Sequence, residues 1–124
     1  MTHAVSPKVI AAALPDHWSP RVIGEVDDAY VKVARGLGTF GWHRHPDEDE
    51  LFLVLKGRLR IELEDRVVAL EEGQLCVVPR GVMHNPIADE ECHLLLFERK
   101  TTLHTGDTVN ERTRSIEEQL GLPG

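Results

Sequence analysis

From Arg21 to Arg99 the chain is a succession of short β-prone runs broken at near-regular intervals by turn residues. The runs are Arg21–Val26, Ala29–Arg35, Leu51–Leu55, Arg58–Glu64, Val67–Leu70, Leu75–Val78 and Cys92–Arg99. Between them stand Asp27-Asp28, Gly36 to Gly41, Lys56-Gly57, Asp65-Arg66, Glu72-Gly73, Pro79-Arg80-Gly81 and Ala88 to Glu91. Strands this short cannot bury a face alone; many of them, with turns between, indicate a sandwich or a barrel. The reading is therefore all-β.

Two of the runs say how the sheet is covered. In Arg58-Leu59-Arg60-Ile61-Glu62-Leu63-Glu64 the apolar side chains alternate with charged ones, so one face meets a core and the other meets water. Leu51-Phe52-Leu53-Val54-Leu55 is apolar on both faces and needs a second cover. Either the N-terminal segment lies over it or a second subunit does, and a homodimer is expected.

Outside the strands, Ser6 to Leu14 suits a short helix, with Ser6 as its cap and Pro7 at the first helical position. The tail from Thr101 is more polar. Arg112 to Leu120 suits a helical turn or two ending at Gly121, packed on the barrel or wrapped around a partner. A single domain over 1–124 is expected, with a barrel core at about 21–100 and a tail at 101–124.

Composition narrows the function. A net charge of −7 argues against nucleic acid, whose phosphates need Lys and Arg. Val9 to Leu14 is short and stopped by Pro15, so no signal peptide or membrane span is visible, and a cytoplasmic protein is the default expectation. In that reducing compartment Cys76 and Cys92 read as buried free thiols.

The chemistry is carried by histidines and one acid. His43 and His45 are an i, i+2 pair, and on an extended strand both imidazoles project to one face, suiting two neighbouring positions on one metal ion. Glu50 follows a turn and opens the strand Leu51–Leu55, so its carboxylate can return to the same interior, with Phe52 and Val54 beneath it. His84, after the tight Pro79-Arg80-Gly81 segment, could complete three nitrogens and one oxygen. Such a set suits iron, manganese, nickel, zinc or copper as one divalent ion, and the absence of thiolates speaks against a closed structural zinc site. His3, His17 and His104 read as surface residues and His93 as core or surface. Tyr30 is a candidate acid or base for catalysis, though packing is the commoner use of such a residue. Arg35 shares a face with Val31 and Val33 and could bind a substrate carboxylate if that face is interior.

His43-x-His45-x4-Glu50-x6-Gly57 resembles the first motif of the cupin superfamily, and Gly73-x5-Pro79-x-Gly81-x2-His84 resembles the second. The resemblance implies a double-stranded β-helix, the cupin jelly-roll barrel, with His43, His45, Glu50 and His84 on one metal ion. Three positions depart from the pattern. Leu37 stands where a glycine is expected before the histidine pair. Ala88 replaces an asparagine frequent four residues after the second-motif histidine, with Asn85 nearby instead. Asp49 competes for the role of Glu50, although the six-residue gap to Gly57 favours Glu50. The tail Thr105-Gly106-Asp107 with Asn110-Glu111-Arg112-Thr113 is similar to tails of small cupins loosely described as sugar-isomerase-like.

Three functions are compatible with this pattern. The favoured one is a metalloenzyme on a small organic molecule, such as a dioxygenase. The second is a non-catalytic sensor that binds a small ligand. The third is a sugar-phosphate isomerase or epimerase, which needs a basic phosphate pocket, whereas only Arg44 and Arg80 lie near the motifs.

Overall fold

The computed structural model of the chain describes residues 2–106 and 113–121. Helix α1 (Pro7–Ala12) is followed by strands β1 (Arg21–Val26), β2 (Ala29–Thr39), β3 (Glu50–Lys56), β4 (Arg58–Leu63), β5 (Val67–Glu71), β6 (Leu75–Val78) and β7 (His84–Arg99), then helix α2 (Ile116–Gln119). All pairings are antiparallel, in the order β1-β2-β7-β3-β6, with β4 joining β7 and β5 joining β4. The chain is mostly β, as the strand spacing indicates, and takes the jelly-roll fold that the resemblance implies.

The seven expected strands are present, and two run longer than their composition suggested. β2 continues through Gly36 to Thr39, with a register shift between Gly36 and Gly38. β7 begins at His84 rather than Cys92 and passes through Ala88 to Glu91 without stopping. Its first part pairs with β4, His84 opposite Leu63, and its second part pairs with β2 and β3. The polar residues taken for a turn, Asp89 to Glu91, are exposed positions within this one continuous strand.

Helix α1 starts where expected. Ser6 is extended, and its Oγ accepts from the Val9 amide at 3.4 Å. The helix ends at Ala12, earlier than Leu14, because Pro15 disfavours helical backbone in the residue before it. Helix α2 is capped by Ser115 and Glu118. The expected start of this helix at Arg112, and the residues Asp107, Asn110 and Glu111, lie outside the described residues.

The main core fills the barrel with Trp18, Ala34, Phe52, Val54, Leu59, Ile61, Leu70, Val78, Cys92, Leu94 and Leu96. A smaller cluster on the outer face joins Ala11 and Leu14 to Val33, with Ile10, Ile23 and Leu55 against them. Part of the two-sided β3 run is thus covered by α1. Beyond α1 the outer face stays apolar and exposed at Leu75, Val77 and Phe97, with Leu51 paired to both Val77 and Phe97. Cys76 and Cys92 are free thiols. Among the described residues no helix is long and apolar enough to cross a membrane.

Gly57 shows why a glycine ends β3. Its φ is +83°, and a Cβ there would stand 3.0 Å from the Glu91 carbonyl oxygen and 3.3 Å from Cys92 Cα. Both neighbours are backbone of β7 and cannot step aside. Gly57→Ala is expected to cost ~1–3 kcal/mol, read as a lower urea midpoint at unchanged slope; an unchanged midpoint would refute the close approach.

Candidate metal centre

Two segments far apart in sequence are stitched together at the backbone. The His43 amide donates to the His84 carbonyl at 3.0 Å, and the His84 amide donates back to His43 at 2.9 Å. Two residues on, the Gly81 amide donates to the His45 carbonyl at 2.8 Å. The segment holding His43 and His45 is extended, although only His43 makes a bridge and no strand is formed. Asn85 braces it, accepting from the Gly41 amide at 2.9 Å and donating to Glu62 at 3.0 Å.

Glu50, opening β3, then brings its carboxylate beneath the imidazoles. One ligand-type atom from each of His43, His45, Glu50 and His84 lies within 4.8 Å of the others, and all four residues are buried. His45 Nε2 is 3.3 Å from Glu50 Oε1, and His84 Nε2 is 3.6 Å from the same oxygen. Two rings are held in one tautomer: His43 Nδ1 donates to the Gly41 carbonyl and His84 Nδ1 to the Val82 carbonyl, each at 3.0 Å. That frees Nε2 of both rings as a lone-pair donor, the usual arrangement for a metal-ligating imidazole. His84 Nε2 is buried with no hydrogen-bond partner, an orphan that a cation would satisfy. The donor set fits a divalent ion.

The electrostatics prepare the same state. Burial, reinforced by the charge of His84, lowers the His43 pKa to about 4, so this imidazole is neutral at physiological pH. Burial also opposes charge on His45, but its contact with Glu50 outweighs that and raises its pKa. Burial would raise the Glu50 pKa, yet contacts from Glu98, His45 and His84 hold it well below the ordinary carboxylate range. Glu98 moves the other way, pushed up by burial and by the charge of Glu50 against the pull of Lys32.

The other expected site residues fall elsewhere. Asp49 is turned outward, accepting from the Arg80 amide at 2.9 Å, so the carboxylate in the cluster is that of Glu50. Tyr30 is half-buried opposite Glu98, its ring approached by Lys32 at 5.8 Å and Lys100 at 5.2 Å, outside the four-residue cluster. Arg35 lies on the outer face, so the condition for its binding a substrate is not met. It donates to the Leu14 carbonyl and pairs with Glu91. Glu91 also meets His17 at 2.8 Å and His93 at 3.2 Å, and these three partners hold its pKa down to about 2.

His104 corrects an expectation: it is buried, not on the surface, because residues 102–106 fold back over the His43–Arg44 segment. A Cβ on Gly106 would overlap the Arg44 carbonyl, so the tail passes against that backbone. His104 borders a cavity of about 30 Å³ beside His43 and Glu50, walled by Trp18, Phe40, Phe52, Leu94 and Leu96. Lys32 and Glu98 were also missed. Glu98 was within reach of parity, since Leu94 and Leu96 point inward and Glu98 is the next residue on that row.

Residues 29–98 match the family model of the cupin domain. A cupin-2 domain containing protein from Shewanella frigidimarina is 38% identical, with a TM-score of 0.75 over 77% of this chain and 94% of that one. The uncharacterized protein YdbB of Bacillus subtilis (strain 168) is 43% identical over 63 residues, which is 50% of this chain and 56% of its own length. This chain therefore spans little more than half of that relative. Hydroquinone 1,2-dioxygenase from a Sphingomonas species shares the fold at 16% identity, with a TM-score of 0.65 over 78% of this chain and 74% of that one.

The depressed pKa of His43 has a consequence for the metal-free protein. Between about pH 6.5 and pH 4 the unfolded chain takes up a proton that folded His43 refuses. This group therefore withdraws stability as pH falls through that window, while His45, shifted upward, works in the opposite sense. Proton–carbon NMR of the metal-free protein should show His43 titrating near pH 4 and His45 above its ordinary range; a His43 midpoint near 6.5 would contradict the buried cluster.

Proposed function

The chain belongs to the cupin domain family, and from that premise we propose that it is a metal-dependent enzyme acting on a small organic molecule, in the manner of a dioxygenase. The observation that carries the reading is the buried convergence of His43, His45, Glu50 and His84. Held by these four residues, a divalent ion of iron, manganese, nickel, zinc or copper would supply Lewis acidity. The protein supplies the rest: fixed tautomers at His43 and His84, one carboxylate charge at Glu50, and an almost wholly apolar wall beside His43 and Glu50.

The walls favour this reading over the alternatives. The cavity bordering His43 and Glu50 is small, about 30 Å³, and its lining is almost wholly apolar, which suits a small molecule such as dioxygen. A wider cavity, about 600 Å³, opens between the β4–β5 hairpin and β6, lined by Ile61, Leu63, Val68, Cys76, Val78 and Met83 together with Glu64, Asp65 and Arg66. No residue of the cluster lines it, but Leu63 pairs with His84 and Met83 precedes it. A mainly apolar organic substrate suits that wall. A sugar phosphate suits it poorly, since Arg66 is the one basic residue of the lining, beside Glu64 and Asp65, and Arg80 is committed to Asp49.

Purified protein should retain about one divalent metal ion per chain by elemental analysis. His84→Ala should stay folded and lose affinity by more than the ~10–100-fold typical of outer partners. Oxygen uptake across a panel of small aromatic and enediol compounds then separates the readings. Saturable ligand binding without metal-dependent turnover would replace the enzyme with a sensor, and oxygen-independent turnover of a sugar phosphate would favour an isomerase.

We also propose that the chain pairs with a second copy through its outer sheet face. Leu75, Val77 and Phe97 are exposed there, and strand register sets them beside Leu51 and Leu53 as one apolar patch. Such a patch, left uncovered by α1, is the complement of its own copy about a two-fold axis. In sedimentation, Val77→Glu should convert a dimer to a monomer with unchanged metal content. A wild-type protein that sediments as a monomer at high concentration would exclude the pairing.

A further inference from the structure

A lysine and a glutamate are buried beneath the cluster without touching the histidines' side of it. Lys32 and Glu98 are each 1% exposed, and Lys32 Nζ lies 2.7 Å from Glu98 Oε1. Glu98 stands directly opposite Glu50 in the β3–β7 register, and both side chains are buried on the inward row. Lys32 reaches it from the inward row of β2, two residues before Ala34.

Folding alone does not call for this pair. Its neighbours on the inward rows, Ala34, Leu94 and Leu96, are apolar, and buried ion pairs can often be exchanged for well-packed apolar residues without loss of stability. What the pair does have is one specific contact, to the single acid of the three-histidine cluster. Glu98 is the buried side chain set across the β3–β7 register from that acid, and it limits where the Glu50 carboxylate can turn. Lys32 in turn pins one oxygen of Glu98, so Glu98 cannot turn away from Glu50 to find another partner.

We infer that Lys32 and Glu98 are a buried positioning pair that fixes the carboxylate of Glu50 and so sets how tightly the pocket holds a divalent cation. The inference rests on the metal-binding reading above and adds to it two residues that touch no ion. Outer partners of this type commonly change metal affinity by ~10–100-fold.

The test uses two variants of the full chain, with Zn²⁺ as the probe in competition against a chromogenic chelator. Lys32→Met with Glu98→Leu removes both buried polar groups together and so avoids stranding either one. It is expected to fold, with a thermal midpoint near wild type, and to bind zinc ~10–100-fold more weakly. Its metal-free crystal structure should show the Glu50 side chain displaced. Glu98→Gln, whose amide can still donate to Glu50 and accept from Lys32, should restore affinity close to wild type. The inference fails if the double variant binds zinc as wild type does, if it cannot fold, or if Glu98→Gln loses as much affinity as the double variant. Wild-type protein that binds no zinc and no other divalent ion would instead sink the metal reading and this inference together.

Discussion

Everything at the centre depends on a short backbone ladder between two loops. The reciprocal hydrogen bonds of His43 with His84, and the bond from Gly81 to His45, join segments separated by some forty residues. Side chains on a ladder inherit its spacing, so the imidazoles are delivered by backbone geometry rather than by flexible reach. The ring centroids of His43 and His84 come within 4.3 Å because their backbones are bonded to one another. The second motif therefore does two jobs. It provides His84, and through Gly81, held in left-handed backbone at φ +79°, it also fastens the carbonyl of His45.

This explains which parts were legible in the sequence. The strands were readable because each one is half-buried and alternates, as at Leu59, Ile61 and Leu63, or is enclosed on both faces, as at Leu51 to Leu55. The cluster was readable because its four residues lie in motifs whose glycines and proline are themselves geometric requirements, Gly57 for close approach to β7 and Gly81 for the turn. The length of β7 was not readable, since three consecutive exposed acids, Asp89 to Glu91, break the alternation and read identically to a loop. Nor was the burial of His104, because a tail that folds back is placed by tertiary contacts with Arg44 and leaves no periodic trace. The face of Arg35 stayed open for a related reason. Parity tells which residues share a face, but only the position of α1 tells which face is outside.

The protonation of the site follows from the same burial. A histidine surrounded by protein loses more by becoming charged than a carboxylate does when imidazoles and a hydrogen bond surround it. His43 is thereby held neutral and Glu50 ionised, which is the form each must take to donate to a cation. Desolvation thus keeps His43 in its binding-competent neutral form, while neighbouring contacts keep Glu50 ionised against it.

Ligands of this kind accept several metals and serve many reactions, so they do not choose the chemistry by themselves. The choice falls to what surrounds them. On the His43 and Glu50 side, Trp18, Phe40 and Phe52 leave room for a single small molecule and offer it almost no polar partner. Near His84, the gap between the β4–β5 hairpin and β6 is about twenty times larger and opens outward. That contrast in width, rather than the identity of the ligands, is what favours the proposed reaction of one small and one larger molecule.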